Sequence, residues 1–202
     1  MHNYFKTLLK ILFVLTVVLQ ITACSKTVQW EEEVPLNTGE TIWVKRTVVY
    51  SLRGAGGNPF DIGYGQDKTE ILSFDWRGKK YVYEGQAALI LLAISPQNQP
   101  VLVAPAADKR WDWSHNYYCT IPYYVQFSPD ESGREWSWPP NIEPWLYGMS
   151  HNLMRTRLKP EEMRTRYTAQ QRNEEDAVMA IQSPSRAKID PTHVDTDCKK
   201  KE

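Results

Sequence analysis

Between residues 69 and 84 the side chains alternate in character with a period of two, and that period leaves the backbone little choice. Leu72, Phe74 and Trp76 alternate with Ile71, Ser73 and Asp75, and Tyr81 and Tyr83 flank Val82 beyond Arg77-Gly78. Successive side chains of a strand point to opposite faces, so such a pattern predicts two antiparallel strands joined by a tight turn at Arg77-Gly78. The run from Glu40 to Leu52 is rich in β-branched and aromatic residues and predicts another strand. On it Ile42, Val44, Val48 and Tyr50 share one face with a charged residue, Arg46. Ala87 to Ile94 is an unbroken apolar run bracketed by Pro96 and Pro100. Its length favours a strand buried on both faces, with Val101-Leu102-Val103 returning as its partner.

The stretch from 111 to 148 continues the β character in aromatic form. Trp111-Asp112-Trp113 and Trp136-Ser137-Trp138 each place two indoles on one face of a strand. The turn Ser128 to Gly133 connects two antiparallel strands, and Pro139, Pro140 and Pro144 end regular pairing. With 13 Pro and 10 Gly scattered along the chain, many short elements are expected rather than a few long ones. Character changes at Pro160-Glu161-Glu162, where proline and acidic charge suit the first turn of a helix. One helix to about Gln182, or two short ones divided near Thr168, fits the same residues. The fold class expected is mainly β, an antiparallel sheet or sandwich with a C-terminal helical segment, the alternative being α+β. The divisions expected are a leader over 1–23, a tether over 24–39, a β-rich domain over 40–158, a helical segment over 159–182 and an irregular tail over 183–202.

Residue chemistry constrains function mainly by exclusion. The sequence has no His-Glu-x-x-His, no Cys-x-x-Cys and no Gly-x-Ser-x-Gly, so no metal site and no catalytic set is assigned. The glycine-rich loop Arg53 to Pro59 lacks the Gly-Lys-Ser/Thr of a phosphate cradle, and no cofactor is implied. His115 and Cys119, four residues apart in a strand context, stand too far from one another to act as base and thiolate. Asp108, Asp112, Asp130, Glu131 and Glu135 flank the tryptophans. Acids beside indoles are what a glycan-binding face or a glycosidase uses. The simpler expectation is that the tryptophans form a core layer while the acids face water. Trp111, Trp113, Trp136 and Trp138 are the candidate ligand face.

Residues 1–23 have the build of a secretory leader: Lys6 and Lys10 early, an apolar stretch from Ile11 to Leu19, and small Thr22 and Ala23 before Cys24. The bracket of Lys10 and Gln20 leaves too few apolar residues for a spanning helix, which needs about 20. Ile21-Thr22-Ala23-Cys24 resembles the lipobox of bacterial lipoproteins. The resemblance implies cleavage before Cys24, lipid on Cys24 and attachment to a membrane without a span. Ser25 stands where an Asp favours the inner membrane in that group, so the resemblance implies the outer membrane, facing the periplasm. Trp30 to Thr41 and Trp43-Val44-Lys45-Arg46 resemble a group of proteobacterial lipoproteins, a resemblance that implies no activity.

Removing 23 of the 202 residues leaves 179, enough for one domain with a real core. The mature chain carries 22 basic against 24 acidic residues, which gives no general attraction for nucleic acid. With Cys24 lipidated, Cys119 and Cys198 are the two cysteines remaining in an oxidising compartment and are expected to pair. Two classes of function remain open. The first is a lipid-anchored envelope protein that binds a protein or glycan partner without catalysis. The second is a small hydrolase of glycan or peptidoglycan, which the lack of a well-spaced catalytic set disfavours.

Overall fold

The computed structural model describes residues 25–54, 62–106, 122–139, 141–154, 163–174 and 188–193. The chain is mainly β. Its strands are β1 (Ser25–Pro35), β2 (Thr41–Gly54), β3 (Ile62–Trp76), β4 (Lys79–Gly85), β5 (Leu91–Ile94), β6 (Pro100–Pro105), β7 (Tyr124–Pro129), β8 (Trp136–Ser137) and β9 (Arg166–Tyr167). They form a five-stranded sheet in the order β4-β3-β2-β1-β9 and a four-stranded sheet in the order β5-β6-β7-β8. All pairings between named strands are antiparallel except β1 with β9.

The expected hairpin is β3–β4, with Trp76 opposite Lys79. Its two turn residues, Arg77 and Gly78, have φ of 50° and 74°, the pair of left-handed conformations that a two-residue turn between twisted strands demands. The alternation fixes which face is buried. Val44, Arg46, Val48 and Tyr50 of β2, Leu72, Phe74 and Trp76 of β3, and Tyr81 and Tyr83 of β4 all point inward. The second sheet meets that face with Leu92, Ile94, Leu102, Ala104, Val125 and Phe127, so one core lies between the sheets.

The unbroken apolar run has its reason in the second sheet. Leu91 to Ile94 are all buried, because alternate residues serve different cores. Leu91 and Ala93 join Val101, Val103, Tyr124, Ile142, Leu146 and Ile189 on the opposite face. The strand itself covers only the last four residues of the predicted run.

Two expectations are corrected and a third is refined. The segment read as a tether holds strand β1, paired with β2 along its whole length. The three consecutive glutamates concealed this: Glu32 is fully buried on the inner face between Trp30 and Val34. Next, the helix expected from Pro160 is interrupted by strand β9 at Arg166–Tyr167, where Tyr167 is buried against Val28, Trp30 and Met154. Among the described residues of that span, helix is found only at 169–174. Thr168 starts it: its Oγ1 accepts the Gln171 N–H at 3.3 Å, and Gln171 Oε1 accepts the Thr168 N–H at 3.0 Å. That reciprocal pair is a capping box. Finally, the tail read as irregular docks at 188–193, with Ile189 fully buried and the His193 carbonyl accepting the Tyr123 N–H at 3.0 Å.

The exposed edge of the second sheet is closed by side chains. Asn152 donates to the Leu92 carbonyl at 2.7 Å and accepts the Leu92 N–H at 2.8 Å. Asn37, in the β1–β2 turn, does the same for Ile94 at 2.8 and 2.7 Å. A carboxamide offers one donor and one acceptor side by side, as a peptide group does. Two asparagines thus take the place of a neighbouring strand and tie the sheets together.

Candidate functional site

Of the four tryptophans expected to share a ligand face, Trp136 and Trp138 are described, while Trp111 and Trp113 lie outside the described residues. The two that are described have different roles. Trp136 is half-buried, its ring set edge-on to Tyr81 and Tyr83 at 6.5 and 6.0 Å, and its Nε1 donates to the Val82 carbonyl at 2.8 Å. It is a strut between the sheets. Trp138 is 41% exposed, its ring edge-on to Phe127 at 6.4 Å, and offers an indole to solvent at the margin of the core.

Of the acids beside them, Asp130 is tied into its own turn. Asp130 Oδ1 accepts from the Ser132 hydroxyl at 2.8 Å and from the N–H groups of Arg134 and Glu135 at 3.2 and 3.1 Å. Desolvation works to raise its pKa, but these hydrogen bonds outweigh it and hold the carboxyl at about 2. It organises its own turn. Gly133 in that turn has φ of 74° and sends its carbonyl to the Val82 N–H at 2.9 Å, so the turn lies along the β4 edge. Asp108, Asp112, His115, Cys24, Cys119 and Cys198 lie outside the described residues.

The second exposed indole, Trp43, is on the outer face of the five-stranded sheet. The Arg166 guanidinium lies 3.8 Å from its ring centroid, and Arg166 Nε is 3.7 Å from Glu31 Oε2. Trp43 is thus a stacking platform already partly occupied by a neighbouring cation.

The main chemical concentration is inside the five-stranded sheet, and the sequence signalled only its centre. Arg46 sits on the apolar face of β2, opposite Trp30 on β1 and Leu72 on β3. Glu32 and Glu70 are therefore its diagonal neighbours on the two flanking strands. Arg46 donates through Nη1 to Glu32 Oε1 at 3.0 Å and through Nε to Glu70 Oε1 at 2.7 Å, and Nη2 also bonds Glu70 Oε1. Its Nη1 further reaches the Met154 carbonyl at 2.6 Å, while Glu32 Oε2 accepts the Met154 N–H at 2.9 Å. The Trp30 ring lies 5.1 Å from the guanidinium carbon.

Burial opposes the charge of Arg46, but Glu70 and Glu32 outweigh it and raise its pKa. Burial also raises the pKa of Glu70, against the pull of Arg46. The division of labour is legible in the bonds. Glu32 uses both oxygens as acceptors, whereas among the described residues the bonds to Glu70 fall on Oε1 alone. A second buried cation, Arg172, bonds the Glu33 carbonyl at 2.9 Å and the Asn152 carbonyl. Both arginines grip the 152–154 segment, which makes them fasteners of tertiary structure. Among the described residues no group of three or more His, Cys, Asp or Glu is placed to hold a metal ion.

Compared with protein-family models, curated proteins and solved structures, the chain matches none.

Proposed function

We propose that the protein is a lipid-anchored envelope module that binds a protein or glycan partner, with Cys24 as the anchor and the outer membrane, facing the periplasm, as its place. The observation that carries this reading is the position of β1. Its first residue, Ser25, directly follows the cysteine of the lipobox-like stretch, so an acyl group on Cys24 would be joined to the larger sheet with no spacer. A lipid placed there holds a binding face at a fixed height, which suits a module that presents a surface to a partner. The exposed indole of Trp138 is the presented group, supported from behind by Phe127. Indoles combine a large apolar face with one donor, the combination that stacks on sugar rings and protein side chains alike. Against the hydrolase reading, Asp130 is committed to its own turn.

Cys24→Ala tests the anchor. With a palmitate analogue supplied to growing cells, the wild-type chain is expected to take up label and fractionate with membranes, and the variant is expected to do neither. Two or more acyl chains make a stable anchor and one a marginal one, so the loss should be complete. Label retained by the variant, or wild type found free of membranes, refutes the proposal.

A further inference from the structure

Among the described residues the edges of the two sheets are covered to different extents. The β5 edge is satisfied by Asn37 and Asn152. The β4 edge is lined by the 130–136 turn, through the Gly133 carbonyl and the Trp136 indole. Strands β8 and β9 are two residues each. Two stretches have no strand beside them on the outer side: Ile62–Thr69 of β3, beyond the end of β4, and β1, whose far side meets β9 only at Glu31 and Glu32.

Three bonds establish which backbone groups that edge presents. The Glu31 N–H donates to the Thr165 carbonyl, the Glu33 carbonyl accepts from Arg172, and the Pro35 carbonyl accepts from Asn152. All three are odd-numbered and on the side away from β2. By the alternation of an antiparallel ladder, Ser25, Thr27 and Gln29 turn their N–H and C=O the same way. Among the described residues none bonds to these groups, and all three residues are exposed. No proline lies within Ser25–Gln29, and β1 pairs with β2 there without a bulge. An open edge of this kind is a template for another strand.

We propose that two copies of this chain join through this edge, Ser25–Gln29 lying antiparallel to the same residues of a second copy about a dyad at Thr27. Among the described residues the open stretch of β1 is five residues long, Ser25–Gln29, and Thr27 is its midpoint. Only this register pairs the whole of it with itself, giving each odd residue both of its missing bonds. A register one step toward the N-terminus sets Lys26 against its own counterpart, a like-charge pair. One step toward the C-terminus requires Glu31, whose N–H is already taken by Thr165. At the Thr27 register Lys26 lies beside Val28 of the other copy, and the two Thr27 residues form a favourable cross-strand pair. The contact is isologous and closes on itself, so it yields a dimer and not a fibre.

The test uses the full-length chain in detergent micelles, with its mass measured at equilibrium. Wild type is expected to be a dimer. Thr27→Pro removes an N–H that faces away from β2, a place where a strand tolerates proline, and is expected to leave a folded monomer. Thr27→Cys supplies the second arm, independent of whether the proline variant folds. In a hydrogen-bonded antiparallel pair the two Cα atoms are about 5.5 Å apart, inside the range a disulfide spans. Thr27→Cys is therefore expected to give a reducible dimer in excess of wild type and of Lys45→Cys on the outer face. A monomeric wild type, a folded Thr27→Pro dimer, or cross-linking of Thr27→Cys no greater than that of Lys45→Cys would each overturn the proposal.

Discussion

Arg46 shows how much a single residue decides in this chain. One cation is shared by two fully buried carboxylates, Glu32 and Glu70, and the two acids are not equivalent. Glu32 also holds the Met154 N–H, so a glutamine there, with one acceptor oxygen in place of two, sets its NH2 against either an Arg46 N–H or the Met154 N–H in the core. Glu32→Gln is expected to cost about 3–5 kcal/mol, the usual penalty for breaking a buried pair from one side. Chemical denaturation at neutral pH measures it. Glu70 behaves oppositely with pH. Its pKa is raised on folding, so its contribution is fully present below the unfolded carboxylate value and is lost as pH rises through the folded one. Asp130, held at about 2, contributes above the unfolded value and loses that contribution only as pH falls toward 2. Between neutral pH and the ordinary carboxylate range, wild type should therefore gain stability on acidification through Glu70. Glu70→Gln should flatten that slope, which thermal melts across the range will read. A wild-type slope of the other sign would mean that Glu70 is ionised throughout.

At the scale of elements, the two tryptophans of β8 and its flank separate packing from presentation. Trp136→Ala removes a ring set against Tyr81 and Tyr83 and an indole bond to Val82. It should destabilise by about 3 kcal/mol, the low end for a tryptophan truncation. Trp138→Ala takes away a ring that is 41% exposed and should destabilise less than Trp136→Ala, while any glycan or partner binding falls. Paired melts and binding assays of the two variants distinguish the roles. The sequence made these elements legible where one period held without interruption. The β3–β4 hairpin with its Arg77-Gly78 turn and the inward face of β2 are both in the alternation, Arg46 included. It failed where a charge stood at a buried position. Glu32 made a fully paired strand read as a tether, and only the partner 14 residues away explains its place. It failed again at Tyr167, because a two-residue strand has no period to display. The Thr168-to-Gln171 capping box was present in the sequence and could have placed the helix start. The asparagine bridges left no signal, since a polar residue in a turn is the ordinary case.

At the scale of the molecule the described residues form a pair of sheets, and the outer face of the second is covered by later parts of the chain through Ile142, Leu146 and Ile189. Tail docking brings His193 against Tyr123, their rings 5.3 Å apart. Cys119 precedes Tyr123 by four residues and Cys198 lies five residues beyond His193. A bond between those cysteines is expected, and would close a loop worth at most about 4.5 kcal/mol in chain entropy. Alkylation of the exported chain should label neither thiol before reduction and both after. Two thiols labelled without reductant would refute the bond. The paired asparagines, finally, give this architecture a clock. Hydrolysis of the Asn37 or Asn152 amide to a carboxylate would replace a donor with a negative acceptor aimed at the Ile94 or Leu92 carbonyl. Elsewhere on a surface that ageing reaction costs little. Here it would turn a rivet into a wedge, so the age of a molecule would be written in how firmly its two sheets hold together.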